Sequence, residues 1–101
     1  MTTTIGHFID GVHVSPGSGR STPVFNPATG AETGRVAMAS EAEVRVAIEA
    51  AKAAQPRWAA TTPLRRARIL NRFLGIMEQR AGELAAVITA EHGKVLSDAR
   101  G

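Results

Sequence analysis

Cysteine is absent from this chain. That excludes a disulfide framework, a thiolate metal site and a cysteine nucleophile among these residues, and it fits a cytosolic protein. Aromatic residues make up only 4%, with a single tryptophan, Trp58, and much of the 44% hydrophobic share is alanine. Alanine buries little area, so the core that these residues can build alone is thin. No apolar run approaches the ~20 residues that a spanning helix needs. The opening MTTTIGHFIDG lacks the basic start and long apolar region of a signal peptide, and the arginine spacing of a transit sequence. The expectation is a cytoplasmic protein with no membrane partner. The 101 residues make at most one small domain.

Charge is present but lopsided. The formal net charge is +3, and Arg65, Arg66, Arg68 and Arg72 cluster in one stretch. Such a cluster suits nucleic acid or an acidic membrane surface. Arg65, Arg68 and Arg72 share a helix face at i, i+3, i+7, which reads as a phosphate-binding stripe. No aromatic interleaves them, however, and Glu78 and Glu83 follow closely. The stripe is therefore read as a solvated face, or as one that pairs with carboxylates elsewhere in a larger protein. No nucleic-acid partner is expected.

The longest sustained helical period lies between Thr62 and Gly93. Ile69, Leu70, Phe73, Leu74 and Met77 form one apolar stripe, and Leu84, Val87 and Ile88 form a second. Gly82 falls between them, so two consecutive helices are expected, about 63–79 and 82–92. Thr62 can cap the first, with Pro63 at its opening position, and Gly93 can close the second. Ahead of them, Ser40-Glu41-Ala42-Glu43 spells a capping box. The helix it opens is expected over about 41–54, stopping before Pro56, with Trp58 in a connector as a plug over the helix pair. A further helix begins near 95 and ends in mid-pattern, which is read as the start of something longer.

The first 38 residues read as two small antiparallel hairpins over 5–38, after a frayed Thr2–Thr4. Asp10-Gly11 suits a two-residue type I′ turn between His7–Ile9 and Val12–Val14. Asn26-Pro27-Ala28-Thr29-Gly30 is a turn between Pro23–Phe25 and Glu32–Met38, with Gly34 as a bulge. Pro23 cannot donate to a ladder, which places its strand at an edge or makes it a strand start. The fragment is α+β: two hairpins, then two to three helices.

Candidate sites are few. Gly17-Ser18-Gly19 looks like a phosphate loop, but no helix follows it and the loop reading prevails. His7 and His13 could face each other across the hairpin, yet two histidines with no placed carboxylate make a poor metal site. Glu91-His92-Gly93-Lys94 sets an acid, an imidazole and an ammonium side by side. Neighbours on a helix end point in different directions, so these read as a C-terminal cap with a cation near the negative dipole end.

The order of the pieces carries more than any one of them. Phe8-Ile9-Asp10-Gly11, Phe25-Asn26-Pro27-Ala28-Thr29-Gly30, a capped alanine-rich helix, Trp58, Pro63-Leu64-Arg65-Arg66-Ala67-Arg68-Ile69-Leu70, Glu83-Leu84-Ala85 and Glu91-His92-Gly93-Lys94 follow in sequence. This resembles the N-terminus of the aldehyde dehydrogenase superfamily across essentially the whole chain. Ile5-Gly6-His7, Ser18-Gly19-Arg20 and His92 before the glycine are similar to the acylating, CoA-dependent methylmalonate-semialdehyde branch. The resemblance implies an α/β parent enzyme several times longer, with a Rossmann-type cofactor domain of which residues 1–101 are the N-terminal part. It implies NAD and coenzyme A as co-substrates, a semialdehyde substrate and a homo-tetramer. The superfamily's nucleophile, general base, cofactor turn and oxyanion asparagine all lie further downstream. No catalytic, cofactor-binding or metal residue is therefore assigned in this segment. The reading from a different class is a small self-contained basic binding module.

These two readings part on nucleic acid. Retention on DNA should be weak and steeply salt-dependent, as for any basic protein. Changing Arg65, Arg68 and Arg72 to glutamine should alter no sequence-specific affinity in a gel-shift titration. Sequence-preferring binding that survives physiological salt would support the binding module.

Overall fold

The computed structural model describes residues 3–101. Strands β1 (Thr3–Ile5), β2 (His7–Ile9), β3 (Val12–Val14), β4 (Ser21–Phe25) and β5 (Glu32–Ala37) precede helices α1 (Glu41–Ala60), α2 (Pro63–Gln79), α3 (Ala81–His92) and α4 (Leu96–Ala99). The strands form two sheets. One has the order β1-β5-β4 and the other is the β2-β3 hairpin.

The hairpin turns on Asp10 and Gly11, with φ of 52° and 76°, the signs a type I′ turn demands. In the larger sheet β4 runs antiparallel to β5 and lies at the edge, where the missing N–H of Pro23 breaks no ladder. The Asn26–Gly30 turn between them is closed by its own side chain. Asn26 Oδ1 accepts from Ala28 N at 2.8 Å, and Gly30 N donates to the Asn26 carbonyl at 2.8 Å.

Three strand expectations are revised. Thr3 and Thr4 are not frayed: they belong to β1, which pairs in parallel with β5 through Thr3↔Gly34 and Ile5↔Val36. Thr2 lies outside the described residues. A parallel partner has no local turn signal, so a tripeptide gives no hint of it. The expected pair of hairpins is therefore one hairpin and a three-stranded mixed sheet. The bulge falls at Thr33 rather than Gly34, since Val24 faces Gly34 and Phe25 faces Glu32. Gly34 serves close packing instead: a Cβ there would meet the Thr3 carbonyl oxygen at 3.0 Å.

The helices follow their caps. Ser40 Oγ accepts from Glu43 N at 3.1 Å while Glu43 Oε2 accepts from Ser40 N at 2.7 Å. Thr62 Oγ1 accepts from Arg65 N at 3.3 Å, and Gly93 closes α3 with φ 85°. Helix α1 passes its expected end near 54 and runs on to Ala60 with Pro56 inside it. Proline there removes only the bond to the Lys52 carbonyl, and both residues are exposed, so water can take the freed oxygen. Trp58 thus lies within α1, at 42% exposure, rather than in a connector. The break between α2 and α3 comes at Arg80 (φ −104°, ψ 15°), just ahead of Gly82. Arg80 Nε reaches forward to Glu83 Oε2 at 2.8 Å.

Little is buried. Among the described apolar residues only Ala37 and Ala85 lie below the surface, whereas Leu70, Phe73, Val46, Ile48 and Val87 are each more than half exposed. The radius of gyration is 17.3 Å and the extents are 49 × 37 × 16 Å. A compact chain of this length would have a radius near ~13 Å. The polypeptide is an open slab whose apolar stripes face outward.

A free-standing domain holds only ~5–15 kcal/mol, and each fully buried large side chain supplies ~1.5–3 kcal/mol of it. Leaving both helix stripes exposed forfeits most of that margin. The isolated 101-residue chain should show helical far-UV circular dichroism, a broad thermal transition and association through its stripes. A monomer with a sharp, reversible melt and dispersed amide resonances would show that it closes its own core.

Candidate functional site

The densest polar constellation sits where the β2-β3 hairpin, the loop from Ser15 to Arg20 and the start of α1 converge. Glu43 is its hub. One carboxylate oxygen takes the Ser40 amide in the capping box, and the other takes the Gly17 amide at 2.8 Å. His7 Nε2 lies 3.9 Å from the same Oε1, beyond hydrogen-bonding reach, and has no other partner among the described residues. The Ser18 hydroxyl donates to the Met38 carbonyl, and Arg20 Nη2 donates to the Ala39 carbonyl at 3.2 Å. The loop is thereby tied to the β5–α1 junction.

These partners set the charge state of Glu43. The Ser40 amide, then the Gly17 amide, hold its carboxyl below the usual range; desolvation opposes them, and the Ser40 hydroxyl and the nearby His7 add lesser lowering effects. Both oxygens are engaged in structure. The carboxylate is placed to hold backbone rather than to move a substrate proton. Beside it runs a mostly apolar cleft lined by Phe8, Ile9, Val44, Ala47, Ile48 and Ala51, with His7 and Glu43 itself as its polar lining.

The residues singled out from sequence fall apart from one another. Gly17-Ser18-Gly19 does bind an anion through an amide, but the anion is the chain's own Glu43, and a strand follows the loop. His7 and His13 do not oppose each other: His7 pairs with Val14, and His13 with Phe8. The His13 ring meets Phe8 edge-on at 5.1 Å between centroids. Among the described residues no three His, Cys, Asp or Glu side chains gather as metal ligands. Arg65, Arg68 and Arg72 line a shallow cleft with Thr61 and Ile69. The Glu91–Lys94 run ends α3, with Gly93 N donating to the Thr89 carbonyl at 2.9 Å.

One meeting point was missed in sequence. A Cβ on Gly93 would lie 3.0 Å from Pro27 Cγ. The Asn26–Gly30 turn and the Glu91–Lys94 cap, far apart in the chain, therefore touch. No local pattern signals a contact at that separation.

The fold and this junction can be set beside known proteins. The sequence profile of the Aldehyde dehydrogenase family matches residues 13–101. The chain is 43% identical over 98 residues to a malonate-semialdehyde dehydrogenase of Pseudomonas aeruginosa, covering 97% of this chain and 20% of that protein. It is 44% identical over 92 residues to a betaine aldehyde dehydrogenase of Rhizobium etli, covering 91% of this chain and 19% of that protein. A crystal structure from Sinorhizobium meliloti, assigned as a methylmalonate-semialdehyde dehydrogenase and complexed with NAD, superposes with a TM-score of 0.97 at 50% identity. It covers all of this chain and 21% of that one. This chain belongs to the aldehyde dehydrogenase family. It spans about a fifth of the length of the curated relatives it matches.

The role of Glu43 has a pH signature. Its folded pKa is depressed, so its stabilisation is complete above the unfolded value of about 4.3 and is lost as pH falls through the folded value. In Glu43→Gln one oxygen acceptor is gone, so either Ser40 N or Gly17 N is left unpaired. Amide exchange at Ser40 or Gly17, whichever loses its acceptor, should be faster in the variant than in the wild type near pH 6. The difference should close as the wild-type carboxylate protonates. Equal exchange at both pH values would remove Glu43 as the loop's anchor.

Proposed function

We propose that this chain is the N-terminal segment of an NAD-dependent, CoA-acylating methylmalonate/malonate-semialdehyde dehydrogenase. The whole enzyme would convert a semialdehyde, coenzyme A and NAD into an acyl-CoA, carbon dioxide and NADH. The observation that carries this reading is the whole-chain superposition on a methylmalonate-semialdehyde dehydrogenase complexed with NAD. The motif order, down to His92 before the capping glycine, supports the same branch.

The segment itself is inactive in this reading. Its residues do not fit a dinucleotide: the one glycine-rich loop has its Gly17 amide engaged by Glu43 and leads into a strand. NAD and coenzyme A are held by residues outside the segment, which contributes no catalytic, cofactor-binding or metal residue. Residues 1–101 form an outer layer of the NAD-binding domain. The remainder of the same polypeptide is their partner, and the assembled enzyme is a cytoplasmic homo-tetramer without nucleic-acid or membrane partners. No helix among the described residues is long and apolar enough to cross a membrane. A second reading, another aldehyde substrate within the family, is favoured by the likeness to betaine aldehyde dehydrogenase.

The test is to express the complete reading frame and follow NADH formation with malonate and methylmalonate semialdehydes. Turnover that requires coenzyme A and yields an acyl-CoA is expected. CoA-independent oxidation to the free acid would assign another branch. A frame that stops at Gly101, with a stable nucleic-acid-binding product, would support the binding module. Calorimetric titration of the isolated 101-residue chain with NAD should give no binding heat. Stoichiometric micromolar binding would place a cofactor site within it.

A further inference from the structure

From Pro63 to Met77 helix α2 carries Arg65, Arg66, Arg68 and Arg72 and no carboxylate; its first acid is Glu78. Three arginines elsewhere are matched locally, while Arg57 and Arg100 have no ion pair among the described residues either. Arg35 holds Glu32, Arg45 holds Glu41 and Arg80 holds Glu83. The side chains of the four α2 arginines make no ion pair or hydrogen bond among the described residues. Arg65 and Arg66 also sit in the first turn, at the positive end of the helix dipole, where α1 and α3 place Glu41, Glu43 and Glu83. Cations there weaken a helix left to itself. The stability of the isolated helix does not account for this arrangement.

Arg66 is the informative member. It recurs with Leu70, Phe73 and Met77 at i, i+4, i+7 and i+11, a single helix face. Leu70 and Phe73 are each 57% exposed and Met77 40%, so that face is apolar and uncovered. Arg66 is half-buried, and its Nε is buried without a hydrogen-bond partner among the described residues. A guanidinium stays charged and is built to grip a carboxylate with two parallel bonds. Among the described residues its Nε finds no acceptor.

We propose that this face of α2 receives a later segment of the same polypeptide, which brings a carboxylate to Arg66 and an apolar side to Leu70, Phe73 and Met77. The proposal rests on the reading of this chain as one segment of a longer dehydrogenase. Relatives that superpose over its whole length are about five times as long, which supplies the occupant. The charge balance fits: the net charge here is +3, so a second copy brings more positive charge to the arginine face. Nucleic acid would answer the arginines but leave Leu70, Phe73 and Met77 uncovered.

The test uses the complete enzyme and two variants. In Arg66→Lys the new amine can be joined to a carboxylate in salt-bridge contact by a zero-length carbodiimide cross-link. Mass spectrometry should find residue 66 joined to an Asp or Glu beyond Gly101. In Arg66→Met the melting temperature of the complete enzyme should fall by about 5 °C or more, because a partly buried carboxylate loses its partner. The same change in the isolated 101-residue chain should leave its broad transition where it was. A cross-link confined to acids within residues 1–101, one that joins two copies, or none would overturn the proposal. So would equal effects of Arg66→Met in both contexts, or loss of sequence-specific nucleic-acid binding in the variant. A complete frame that encodes no dehydrogenase defeats the functional reading. An active dehydrogenase whose Arg66→Lys variant forms no such cross-link defeats this one alone.

Discussion

Glu43 joins three parts of the chain that no apolar core holds together. Its carboxylate closes the first turn of α1, takes the Gly17 amide and lies beside His7 on β2. Where large side chains bury themselves, a single carboxylate is a minor contributor to a fold. Here the buried apolar residues among those described are two alanines, Ala37 and Ala85, and the balance shifts. Shape depends on backbone groups finding acceptors: the Asn26 turn, the Ser40 and Thr62 caps, the Gly93 C-cap and the Glu43 junction. Each is individually modest, because folding exchanges hydrogen bonds to water for hydrogen bonds within the chain. Together they define a surface without stabilising it strongly.

That division explains what could be read from the residues. Features decided within a few positions were legible. The Asp10-Gly11 turn, the Ser40 box, the Thr62-Pro63 start and the Gly93 stop are all short-range hydrogen-bonding or dihedral requirements. Features decided between distant positions were not. The parallel pairing of Thr3–Ile5 with β5 has no turn to announce it. The approach of Pro27 to Gly93 requires the strands and helices to be placed first. The course of α1 through Pro56 shows a third kind of miss. The rule that proline ends a helix assumes that the lost bond is costly, and at an exposed position water makes it cheap.

The candidate site follows the same logic. A glycine-rich loop and an acidic capping box are each visible in the sequence, and nothing in their spacing joins them. Their union gives the Gly17 amide an acceptor within the chain, and the loop leads into a strand rather than a helix. The histidine pair dissolved for a reason of register. Cross-strand neighbours share a sheet face, and the observed pairing puts His13 with Phe8 and His7 with Val14.

The same physics bears on why family membership is plain in this segment while the substrate is not. An enzyme separates one aldehyde from another by contacts that tighten as the bond rearranges. Those contacts belong to the groups around the reacting carbon and the bound cofactor. The features that shape this segment are turns, caps and one close approach of proline to glycine. These requirements are set by the backbone and are indifferent to whether a thiol or water takes the acyl group. A scaffold of this kind can resemble enzymes that act on betaine aldehyde as closely as those that act on malonate semialdehyde. The likeness to both shows the family and does not separate their substrates. The exposed stripes of α1, α2 and α3 suit the proposed place of this segment within a longer chain, whose later residues would cover them.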